Sequence, residues 1–144
     1  MYQAIFYTHV TVSFVALLLG LISLSIAIRG LIKRQDYLKW YRSLGKIYVI
    51  SLYIQLAMGL LMFYYPGSDK AALESSAIDP GNSPNIRFWE IEHVAIMVFA
   101  LFIVQIGCIF IGKTINPGRK FRLVLVYFGI PLIMMIFSMV MSMR

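Results

Sequence analysis

Charge is scarce in this chain: only 13% of its 144 residues are Asp, Glu, Lys or Arg, against 60% hydrophobic. A soluble domain needs roughly twice that charged share to dress its surface, so a water-soluble fold is excluded and an integral membrane protein is expected. Cysteine is nearly absent: Cys108 is alone, has no intramolecular disulfide partner, and reads as a small packing residue in helix 3. Acidic residues number six and histidines two. No nucleophile paired with a base, no phosphate-cradling glycine loop and no dinucleotide fingerprint occurs. Hydrolytic chemistry is therefore not expected, and an independent enzymatic activity is not predicted. No internal repeat supports a transporter built from inverted halves.

What the chain has is long apolar runs. A helix needs about 20 residues to cross a hydrocarbon core, and four segments meet that length, at 4–28, 47–65, 88–111 and 123–143. The predicted fold is all-α: one domain over 1–144, an integral membrane bundle of four antiparallel transmembrane helices. The first run lacks a basic n-region and a small-residue cleavage site, and so reads as a retained helix rather than a signal peptide.

The net charge of +7 is unevenly distributed. Arg29, Lys33, Arg34, Lys39, Arg42 and Lys46 join helices 1 and 2, and Lys113, Arg119, Lys120 and Arg122 join helices 3 and 4, which puts ten of the 13 basic residues on one side. The connection between helices 2 and 3 carries Asp69, Glu74 and Asp79, with Glu90 and Glu92 at its end. By the positive-inside rule the basic connections are cytoplasmic and both termini lie outside (N-out/C-out), in a bacterial inner membrane. The basic excess is then accounted for by topology and anionic lipid headgroups, and no nucleic acid is implied.

The connections carry their own signals. Tyr37, Trp40 and Tyr41 among the cations of 30–45 predict a short interfacial helix. Pro66-Gly67, Pro80-Gly81 and Ser83-Pro84 oppose regular structure from Pro66 to Asn85, Asn116-Pro117-Gly118 predicts a tight turn, and Pro131 predicts a kink in helix 4.

In lipid, interfaces between helices are marked by small and polar residues. On helix 1 the positions 9, 13, 16, 20, 23 and 27 are His, Ser, Ala, Gly, Ser and Ala, a single face at steps of four and three. From His93 the same spacing gives Met97, Ala100, Val104 and Gly107. Helix 2 offers Ser51, Gln55, Gly59 and Met62, and helix 4 offers Tyr127, Pro131, Met134 and Ser138.

His9 and His93 each lie about five residues inside a run, roughly 8 Å deep at the helical rise, and the two helices enter from the same side. Polar residues within a span are costly and by default face the interior with a partner. Two imidazoles at one level on facing helices are suited to ligate a haem b iron axially, with Arg87 near the propionates and Gln55 slightly deeper. Two other readings stay open. Helix–helix hydrogen bonds alone would account for both histidines, and a copper or zinc site would want a third ligand from Glu92, Glu90 or Met97, although Glu92 is about 100 degrees around the helix from His93.

The stretch Arg87-Phe88-Trp89-Glu90-Ile91-Glu92-His93, with Met1-Tyr2 before His9 and Tyr53-Ile54-Gln55-Leu56 before Gly59, resembles a group of short four-helix bacterial membrane proteins, common in the Bacteroidetes, that are often labelled cytochrome-b-like. The chain departs from that group at Tyr7 and Tyr53, where members often hold a further histidine. The resemblance implies a small b-type electron-transfer component with His9, Gln55, Glu92 and His93 as its site. Apart from the resemblance, a single haem near the outer face leaves most of the bilayer uncrossed, so the electron partner expected is a quinol, a periplasmic carrier or a larger respiratory complex at the outer side. The alternative is an accessory or structural subunit of a larger respiratory or secretion complex, without a cofactor of its own.

Overall fold

A computed structural model describes residues 2–64 and 85–142, with side chains described over 4–62, 92–141. The expected loop from Pro66 to Asn85 lies outside the described residues, apart from Asn85 itself. The described residues form four helices: α1 (Tyr2–Ile32), α2 (Lys39–Tyr64), α3 (Asn85–Lys113) and α4 (Pro117–Ser142). All four are long and apolar enough to cross a membrane, which fits a multi-pass membrane protein. Each helix begins before its predicted apolar run, α2 by eight residues and α4 by six, and α1 and α3 also run past its end, because the cationic ends at the two connections stay helical.

The ends have local causes. α1 closes in a Schellman arrangement: the Gln35 N–H donates to the Gly30 carbonyl at 3.0 Å and the Arg34 N–H to Leu31 at 3.4 Å. Arg34 takes the left-handed position with φ of 48°, a place usually given to glycine. The predicted interfacial helix over 30–45 is not formed. Its first residues complete α1, 33–38 make the turn, and the rest begins α2. At the other connection Asn116 caps α4, its Oδ1 accepting from the Arg119 N–H at 3.2 Å, with Pro117 as the first helical residue. α4 runs on through Pro131, which is fully buried.

α1 packs on α2 and α4, and α3 packs on α2 and α4. The helices thus form a square in which α1 and α3 face each other across a diagonal. The core is made by the predicted faces. Ala16, Gly20, Ser23 and Ala27 are buried on α1, Met97, Ala100, Val104 and Gly107 on α3, and Ser51 and Gln55 on α2. On α4 the buried stripe is wider than predicted, taking in Val124, Phe128, Leu132 and Met135 beside Pro131 and Ser138. Glycine permits the closest approach at Gly107, where a Cβ would collide with the Cβ and Cγ of Tyr127. Phe14, Phe99, Phe102 and Ile133 face outward, as apolar side chains do when the surrounding solvent is lipid.

Candidate functional site

The site lies at the end of the bundle where α1 and α3 begin. His9 is the eighth residue of α1, at the end of its small-residue seam, and His93 is the ninth residue of α3. Although the two helices do not pack on each other, their imidazoles meet across the diagonal, with ring centroids 6.2 Å apart and planes crossed at 67°. Both rings are half-buried.

Neighbouring helices hold each ring. The Ser13 hydroxyl donates to the His9 carbonyl at 2.9 Å, which commits its proton. The Gln55 amide Nε2 from α2 therefore donates to Ser13 Oγ, and its second hydrogen points to His9 Nε2 at 2.9 Å. With Nε2 accepting, the neutral His9 ring carries its proton on Nδ1. That Nδ1 group and the Gln55 Oε1 are buried without a hydrogen-bond partner among the described residues. On the other side of the diagonal, His93 Nδ1 lies 2.5 Å from the Ser138 hydroxyl of α4.

A cavity of about 540 Å³ opens beside this cluster, lined by both histidines, Ser13 and Gln55 together with Met62, Met97, Met135 and Met139. Its size and its mostly apolar wall with a few convergent polar groups are those of a small-molecule or cofactor pocket. Buried polar atoms normally find partners, so the orphan donor on His9 and orphan acceptor on Gln55 mark an incomplete set of interactions at the cavity edge.

Imidazole is a donor that iron, copper and zinc accept, and this end of the bundle brings two of them together with ring centroids 6.2 Å apart. The lone pair of His9 Nε2, now met by the Gln55 N–H, is the one an iron would take. A neighbouring hydrogen bond such as His93–Ser138 is what fixes the orientation of a ligating imidazole.

Of the residues singled out from sequence, His9, Gln55 and His93 are brought together and Met97 joins their cavity. Glu92 is exposed on α3 and stands apart. Among the described residues no group of three His, Cys, Asp or Glu side chains could hold a metal ion, so Glu92 does not supply the third ligand that a copper or zinc site would want. Arg87 and Glu90 lie on the first turns of α3, their side chains outside the described residues. Sequence reasoning placed Ser13 and Ser138 on the inward faces without seeing that they hold the histidines. The signal for Ser13 was its position one turn from His9. Nothing local pairs Ser138 with His93, 45 residues away.

Comparison of the chain with known families, curated proteins and solved structures gives no match in any of the three.

Proposed function

We propose that this chain is a small membrane redox component of the b-type cytochrome kind, holding one haem b between His9 and His93 near the face at which α1 and α3 begin. The observation that carries the reading is the pair of imidazoles meeting across the bundle diagonal at a separation suited to axial ligation. When bound, the haem iron would supply a one-electron couple. The chain's own part is to hold and shield it. His9 and His93 would donate the lone pairs, Ser138 holds the His93 ring through Nδ1, Gln55 would give up His9 Nε2 to the iron while keeping its bond to Ser13, and the methionine wall excludes water, which tunes an iron site by lowering the local dielectric. Arg87, six residues before His93 on α3, is the cation assigned to a propionate.

By the positive-inside rule this face is the outer one in a bacterial inner membrane. One centre at that level leaves most of the bilayer uncrossed, so electrons are exchanged on the outer side, with a quinol, a periplasmic carrier or a larger membrane complex. A specific observation favours one other reading. Four thioethers beside two imidazoles form a soft donor set of the sort that selects Cu(I).

The test is to purify the full chain from its native membrane and measure haem and copper per chain in the wild type, His93→Ala and Met97→Leu. The haem reading expects about one haem, lost in His93→Ala and retained in Met97→Leu. Copper without haem, reduced in both variants, would replace it with the second reading. Absence of both from intact protein would leave an accessory subunit, the histidines serving helix packing.

A further inference from the structure

At the opposite end of the bundle a second cavity, of about 230 Å³, lies between α2 and the α3–α4 hairpin. Four cations line it: Lys39, Arg42 and Lys46 from α2 and Lys120 from the second turn of α4. The three on α2 recur at steps of three and four and so share one face. Lys120 is brought in by its place above the Tyr37 ring, with Nζ 5.2 Å from the centroid. Asp36 and Glu92 are the only acidic side chains among the described residues, both exposed, and neither lines this cavity. Beside the cations the lining is apolar, through Cys108, Ile111 and Phe128, and exposed Gly112, the second-last residue of α3, leaves open space where a side chain would stand, with no other side chain within 4 Å of an added Cβ.

Topology alone requires basic residues at this end, and it requires nothing of their arrangement. Four cations converging from two separate helices on a niche with an apolar floor have the chemistry of an anionic phosphate joined to an acyl chain. We propose that this niche is a binding site for the headgroup of an anionic phospholipid, its phosphate among Lys39, Arg42, Lys46 and Lys120 beside Gly112 and its first acyl carbons along Cys108 and Phe128. The cations supply the preference for negative charge, each one near a membrane surface favouring an anionic headgroup by about fivefold. The floor separates a lipid from free phosphate, which has the charge and lacks the chain. The site is far from the histidine cluster, so it stands whether or not a haem is bound there.

Native mass spectrometry of the detergent-purified full chain tests it, with phosphatidylglycerol, phosphatidylcholine of the same chains, and inorganic phosphate as probes. Phosphatidylglycerol is expected to be retained at least about tenfold over phosphatidylcholine, with excess inorganic phosphate failing to displace it. The triple variant Arg42→Gln, Lys46→Gln, Lys120→Gln is expected to lose the preference. A triple variant of equal charge change outside the niche, Lys33→Gln, Arg119→Gln, Arg122→Gln, is expected to keep it. Gly112→Leu changes no charge and occupies the open space beside the cations, and is expected to lower retention at least threefold with the thermal transition intact. Equal loss in both triple variants, or no effect of Gly112→Leu, would overturn the site in favour of general surface charge. Displacement by inorganic phosphate would overturn its assignment to a lipid.

Discussion

The polar side chains of this molecule divide by whether they find partners. Ser13, Gln55 and His9 satisfy one another in part, leaving one donor and one acceptor over at the cavity edge, whereas Tyr48 shows the opposite case. Its ring is fully buried beside Phe128, with centroids 5.2 Å apart, and its hydroxyl has no hydrogen-bond partner among the described residues. A buried polar group without a partner costs about 1–3 kcal/mol, and removing it leaves the packing of the ring. Tyr48→Phe is therefore expected to raise the thermal unfolding temperature in detergent, by an amount equivalent to about 1 kcal/mol. A lower one would mean that the hydroxyl is satisfied by bound water. At this scale His9, His93 and Gln55 were legible from sequence because each is a rare polar residue in an apolar run. The identity of their partners was not, since Ser13 and Ser138 are unremarkable serines until the fold sets them beside a ring.

At the level of the helices, the inward faces were the most legible feature. A seam of small residues at steps of three and four marks the packed side when lipid is the solvent, and positions 16, 20, 23 and 27 of α1 and 97, 100, 104 and 107 of α3 are all buried. The wider stripe on α4 was missed because Val124, Phe128 and Leu132 are large and apolar, and in lipid such residues carry no inward signal. Polarity alone is no guide either: Gln105 of α3 is exposed within its span. The expected interfacial helix failed for a different reason: aromatic and cationic residues suit the headgroup region equally well as the first turns of a spanning helix. The α3–α4 seam depends on Gly107. Any Cβ there meets the stem of Tyr127 rather than a flexible tip, so the helices must separate to admit one. Gly107→Ala is expected to destabilise the bundle by about 1–3 kcal/mol, the usual cost of overpacking. An unchanged denaturation midpoint would contradict the close α3–α4 contact.

For the molecule as a whole, connectivity explains why the two histidines meet. An up-and-down square of four helices sets α1 and α3 on a diagonal and starts both at the same end, so residues equally far from each start converge in the middle. The sequence supplied the levels by counting from the ends of the apolar runs, but not the diagonal, which depends on which helices pack as neighbours. The two ends of the square differ accordingly: one gathers imidazole, amide and thioether groups around a cavity, and the other gathers cations over an apolar floor. The central claim is that the first end holds a haem. A reduced-minus-oxidised visible spectrum of the protein purified from its native membrane, with haem quantified per chain, tests it most directly. The account predicts a sharp b-type α band at about one haem per chain; intact protein without Soret absorbance would contradict it.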